Sequence, residues 1–277
     1  MTVVRYGSHP SQYGVLSLPD GPGPWPVTVV IHGGFWRTAY SADLASDLAE
    51  DLVRHGFAAW NLEYRGVGDD PDHGNGGWPA TCLDVAAAVD LLAVTGQSLA
   101  AGRLDLSRVV AIGHSAGGQL LAGRGSLPAD APGASPVVPL TGFVSQAGVL
   151  DLALALENNL GSGAVRNFLG GWADDPQARS LACPSALLPM SVLSMCVHGT
   201  ADDDVPLDQS QPLRRRHPTG RRRRPAAGAP RHRPLLTHRC DVSRVGGLPQ
   251  GGPGPGALNL WSRCWRSSKI TSVAHRK

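Results

Sequence analysis

Val109-Val110-Ala111-Ile112-Gly113-His114-Ser115-Ala116-Gly117-Gly118-Gln119-Leu120-Leu121-Ala122 is an apolar, β-branched run, then a glycine-flanked serine, then a segment that reads as a helix. A strand, a sharp turn and a helix in that order hold a serine hydroxyl at a strand end. The first free N–H groups of the helix then point at whatever negative charge develops there. The turn is tight, so small residues are needed two before and two after the serine. In a chain with 35 glycines the pattern Gly-x-Ser-x-Gly arises readily by chance, so its surroundings carry the argument. Ser115 is the candidate nucleophile. Its alternative is an ordinary helix N-cap on a glycine-rich turn.

Strand and helix signals alternate on both sides of this stretch. Val27-Thr28-Val29-Val30-Ile31 reads as a buried strand, and Leu44, Leu48 and Leu52 with Ala45, Ala49 and Val53 follow at helical spacing. Gly56 ends that helix, and residues 57–62 read as the next strand. After a loop rich in Gly and Asp at 66–77, Pro79 suits a first helical turn, with Leu83, Ala87 and Leu91 continuing it. Beyond the serine, 140–146 reads as a strand, 152–169 as a helical or lid-like stretch, and 192–197 as the last clear strand. The pattern predicts a mostly parallel sheet with helices on both faces, whose chemistry lies at the carboxyl ends of the strands.

Two more motifs fall at such ends. His32-Gly33-Gly34-Phe35-Trp36 follows the strand at 27–31, and its glycines allow backbone N–H groups to approach a substrate carbonyl. With the N–H of Ala116, Gly33 and Gly34 form a candidate oxyanion hole; otherwise they are a plain strand-to-loop turn. His32 reads as a structural hydrogen-bonder. His198-Gly199-Thr200-Ala201-Asp202-Asp203-Asp204-Val205-Pro206 ends the last strand. Asp202 is the candidate carboxylate for orienting a histidine base, the alternative being that the aspartates only cap the turn. Phe35, Trp36 and Trp78 are candidate pocket walls or core. The aspartate spacing does not suit a metal loop, and neither metal nor cofactor is expected.

In this order the motifs resemble the α/β-hydrolase family, in its esterase/lipase and kynurenine-formamidase-like branch. The resemblance rests on His32 to Trp36, Gly113 to Gly118, Ala147-Gly148-Val149-Leu150-Asp151 and His198 to Pro206, and spans roughly 10–211. It implies a serine hydrolase acting on a small-molecule ester, or a related amide or formamide. Ser115 would be the nucleophile, Asp202 the acid of a catalytic triad, and Gly33 and Gly34 with Ala116 the oxyanion hole.

The charge distribution divides the chain. Residues 1–211 hold nine Arg, no Lys and 21 acids, a formal charge of −12, whereas residues 212–277 hold 16 Lys and Arg against one acid, +15. From Pro212 onward arginine clusters, prolines and Gly251-Gly252-Pro253-Gly254-Pro255-Gly256 replace periodic elements. The expectation is a truncated hydrolase domain over 1–211 and a tail over 212–277 that is disordered or out of frame. The family's C-terminal strand and helix would then be missing or disordered. The resemblance also implies a histidine about thirty residues after the acid. His217, His232, His238 and His275 lie in the tail, none in the family's context. Read one base later, codons compatible with residues 230–241 give Arg-Gly-Thr-Asp-His-Phe-Ser-Leu-Ile-Asp, with the histidine across the codons of Pro234 and Leu235. The rival is a basic tail that binds nucleic acid, but no motif for reading bases accompanies the arginines. No apolar stretch reaches membrane-span length, no leader is evident, and five unpatterned cysteines fit a reduced, cytoplasmic protein.

Overall fold

The computed structural model describes residues 1–124, 136–190 and 192–215. In chain order the elements begin with β1 (Thr2–Arg5), β2 (Tyr13–Ser17), β3 (Trp25–Ile31), α1 (Ser46–Arg54) and β4 (Ala58–Leu62). Next come α2 (Ala80–Asp90), α3 (Thr95–Leu99), β5 (Leu104–His114), α4 (Ala116–Arg124) and β6 (Gly142–Gln146). The last are α5 (Leu152–Glu157), α6 (Leu160–Leu169), α7 (Pro176–Ala182), β7 (Leu193–Val197) and α8 (Gln211–Arg215). The strands form one seven-stranded sheet in the order β1-β2-β4-β3-β5-β6-β7. β1, β2 and β4 pair antiparallel, and β4, β3, β5, β6 and β7 run parallel.

Alternation along each parallel strand sends neighbouring side chains to opposite faces. Val29 and Ile31 of β3, Ala111 of β5, Phe143 of β6 and Cys196 of β7 join the larger core under α2, α4 and α5. Val30, Ile112, Val144 and Val197, each one position along, join a smaller core with Ala49 and Leu52 of α1. Burial on both faces is why these strands read as continuous apolar runs. The sheet is the mostly parallel α/β-hydrolase sheet that the sequence predicted.

The parallel register aligns the strand ends. Ile31 pairs with Gly113, His114 with Gln146, and Gln146 with Val197. The three motifs therefore leave the sheet side by side at its carboxyl edge. The stretch at 152–169 divides into α5 and α6 at Asn159, which is left-handed, and Gly161, Ser162 and Gly163 take left-handed conformations within the first turn of α6. α8 runs across the expected boundary at 211, and Leu213 is buried in the larger core. The expected final strand and helix and the tail histidines lie outside the described residues. Among the described residues no helix is long and apolar enough to cross a membrane.

Candidate active site

β5 delivers Ser115 at φ 50°, a left-handed conformation that disfavours a side chain. The residue is held there from three sides. Its N–H donates to the Gln146 carbonyl at 2.9 Å, its carbonyl accepts from Val149 N–H at 3.2 Å, and the same carbonyl starts α4 by accepting from Gly118 N–H at 3.0 Å. The glycines two positions away are there for close approach. A Cβ on Gly113 would run into the Gly117 carbonyl, and one on Gly117 into the Ile31 carbonyl at the end of β3. Ser115 is 5% exposed, and among the described residues its hydroxyl makes no hydrogen bond.

Gly33 comes from the neighbouring strand end and lies against this elbow. A Cβ on it would sit 3.1 Å from Ser115 Cβ and 2.6 Å from His114 Nδ1. Among the described residues no hydrogen bond claims the N–H groups of Gly33, Gly34 or Ala116, so the three predicted donors are free. The following residues form a tight turn in which Arg37 N–H donates to the Gly34 carbonyl at 3.0 Å. Gly34, Phe35 and Trp36 all have positive φ, at 113°, 53° and 57°. Mirror-image turns of this kind ordinarily carry Gly, Asn or Asp at their centre; here the central residues are aromatic.

Those aromatics divide in role. Trp36 is core: fully buried, stacked on Phe168 with ring centroids 4.5 Å apart, and donating through Nε1 to Gln119 Oε1 at 3.0 Å. Phe35 is half-buried, lies near Gly161 of α6, and carries the Arg37 guanidinium 5.7 Å from its ring centre. Arg37 also donates to the Gly161 carbonyl. His32 is structural, as predicted: it is buried, stacks on Tyr64 with centroids 4.3 Å apart, donates from Nδ1 to the Gly33 carbonyl, and pairs through Nε2 with Glu63 Oε1 at 3.2 Å. Glu63 in turn accepts from Ala42 N–H at 2.7 Å and Tyr64 N–H at 2.9 Å.

At the end of β7 the Asp202 carboxylate both caps the turn and keeps an oxygen free of it. Oδ1 accepts from Val205 N–H at 2.8 Å and Asp204 N–H at 3.1 Å, while Oδ2 lies 3.7 Å from His198 Nε2. His198 is buried with both ring nitrogens occupied: Nε2 donates to the Val205 carbonyl and Nδ1 pairs with the Ser210 hydroxyl, each at 2.7 Å. The charges of the three strand ends meet at His114. Desolvation of its ring lowers its pKa below the ordinary imidazole value. Attraction from the Asp202 and Asp204 carboxylates opposes that shift, and the His198 and His32 rings add to it. Among the described residues, no histidine hydrogen-bonds both the Ser115 hydroxyl and the Asp202 carboxylate.

Sequence reading missed Gln119, Glu63 and Arg37. Gln119 carries the one legible signal, a polar residue inside the apolar first turns of α4, where a buried amide must find partners.

The BD-FAE family matches residues 16–216 of the chain. A truncated form of carbohydrate esterase from gut microbiota shares the fold with a TM-score of 0.64 and 23% identity, over 77% of this chain and 81% of its own. Esterase B from Lactobacillus rhamnosis aligns with a TM-score of 0.63 and 22% identity, over 77% of this chain and 68% of its own. For a lipase/esterase from Lactobacillus plantarum the values are 0.61 and 18%, over 77% and 85%. No curated protein matches the sequence.

Proposed function

The chain belongs to the BD-FAE family of α/β-hydrolase esterases, and from that premise we propose that it cleaves a small-molecule carboxylic ester, or a related amide or formamide, through an acyl-enzyme on Ser115. The observation that carries this reading is the elbow itself. A serine at φ 50° with an unbonded hydroxyl faces Gly33 of the next strand end and stands beside unclaimed N–H groups on both elements.

In this reading Ser115 Oγ attacks the substrate carbonyl carbon and a histidine takes its proton. The carbonyl oxygen becomes an oxyanion held by the N–H groups of Gly33 or Gly34 and of Ala116, each donor contributing about 3–4 kcal/mol to the transition state. Collapse expels the alcohol, which takes the proton back from the histidine, and water then releases the acid by the same route. Asp202 Oδ2 is the oxygen that orients the histidine. His32 and His198 are both tied into hydrogen bonds, so neither is that base. His217, His232, His238 and His275 lie outside the described residues.

We assign the missing base to the alternative reading frame beyond about Pro212, whose histidine would fall 32 or 33 positions after Asp202, and the 277-residue chain is expected to turn over slowly. Loss of a triad histidine costs on the order of 10⁶ in kcat. The test is hydrolysis of p-nitrophenyl acetate and of acetylated sugars, the latter suggested by the carbohydrate esterase of like fold. Slow hydrolysis that vanishes in Ser115→Ala supports the reading. Wild-type rates equal to those of Ser115→Ala favour a second one, a non-catalytic relative, to which the lack of a bridging histidine among the described residues points.

A further inference from the structure

The turn that presents Gly33 and Gly34 is strained at Phe35 and Trp36, and such conformations persist only where surrounding structure over-determines them. Phe35 is only half-buried, so the anchor has to be Trp36. Its ring is sealed against Phe168, its carbonyl accepts from Val67 N–H at 2.6 Å, and its indole N–H has one partner, Gln119 Oε1. Gln119 is fully buried on α4, one helical turn beyond Ser115. Its other end is also fixed, Nε2 donating at 2.9 Å to the Ala182 carbonyl at the end of α7. One carboxamide thus ties the donor loop, the nucleophile helix and α7 together, with both of its hydrogen-bonding ends used.

We propose that Gln119 is a positioning residue: by holding Trp36 it keeps the loop at 32–36 in its left-handed turn, and so keeps the Gly33 and Gly34 N–H groups beside Ser115. Trp36 is the lever and Gln119 the stop. The helix that carries the serine therefore also sets the position of the donors that serve it, and the two halves of the site cannot drift apart independently. This rests on the serine-hydrolase reading above. It adds a requirement that reading lacks, that donor alignment depends on a residue which touches no substrate.

Hydrogen exchange of the full chain, read by mass spectrometry on peptides covering residues 32–38, tests it in Gln119→Met, Trp36→Phe and the double variant. Gln119→Met keeps the length and removes both hydrogen bonds, and Trp36→Phe keeps a ring on Phe168 while removing the indole N–H. Each single variant is expected to speed exchange in the loop about tenfold or more relative to peptides of β3 and β5, which report overall stability. The double variant is expected to match Gln119→Met alone, since that substitution already removes the bond that Trp36→Phe breaks. Where turnover is measurable, kcat falls about tenfold or more with KM within twofold, because oxyanion donors act mainly in the transition state. Loop exchange that rises no more than that of β3 and β5, or that adds in the double variant, overturns the proposal. Exchange decides the matter whether or not the chain turns over, so failure of the serine-hydrolase reading, seen with Ser115→Ala, is told apart from failure of this one.

Discussion

Ser115, Gly113 and Gly117 show how a tight turn constrains side chains that take no part in chemistry. At Gly117 a methyl group would meet the Ile31 carbonyl, so helix and strand would have to separate. Gly117→Ala is expected to lose about 1–3 kcal/mol of stability, read as a fall in Tm or in the denaturant midpoint. This constraint was legible in the sequence, because small residues flank the serine at the spacing the turn demands. The strain at Phe35 and Trp36 was not: neither residue type announces a positive φ, and only Trp36's buried partners explain it. His114 gives a pH test of the site's assembly. Desolvation holds its pKa below the ordinary imidazole value while Asp202 and Asp204 pull it upward. Asp202→Asn removes one of those carboxylates, so His114 should titrate at still lower pH, as followed by NMR of its ring protons. The linkage has the matching sign. Below the ordinary imidazole pKa the unfolded chain binds more protons at this position than the folded one. The contribution is complete above that pKa and is lost as pH falls toward the lower folded value, and His114→Ala should flatten that part of the stability profile.

Elements were legible where burial imposed a period. β3, β4, β6 and β7 fall within two residues of their predicted limits because apolar runs mark strands covered on both faces. β5 extends five residues upstream of its predicted start, through Leu104 to Arg108, where Asp105, Ser107 and Arg108 interrupt the apolar run that marks the strand. β1 and β2 escaped notice: they are four and five residues long at the antiparallel margin, and three of the four residues of β1 are exposed. α7 was missed too, although Asp175-Pro176 is a legible start. The Asp175 carboxylate accepts from Gln177 N–H at 2.8 Å and Ala178 N–H at 3.2 Å. Asp175→Ala is expected to cost about 0.5–2 kcal/mol, measurable by thermal or chemical denaturation. Since α7 receives the Gln119 amide through Ala182, the same variant should speed exchange in the loop at 32–36.

At the scale of the whole molecule, the sheet brings motifs that are 83 and 170 residues apart in sequence, at His32, Ser115 and His198 to Asp202, to one edge. Their order along the chain made this legible; the geometry of a parallel sheet made it possible. The base was not legible, because the grammar of alternating elements stops near Pro212 together with the acidic composition. Among the described residues, α1 alone of the longer helices contributes to the smaller core; it packs mainly on β4, whereas Val144 and Val197 of that core lie on β6 and β7. A chain read in the alternative frame should therefore gain both turnover and stability. Sequencing across the codons of Ser210 to Leu213 is expected to find the frame interrupted there, and an unaltered frame in independent reads rejects that origin for the tail. The central claim, that Ser115 is the nucleophile, is met most directly by intact-mass measurement after long exposure to a fluorophosphonate. A single adduct on the peptide carrying Ser115, formed slowly and absent from Ser115→Ala, is the expected result. No adduct on the wild-type chain, or one that survives in Ser115→Ala, would contradict it.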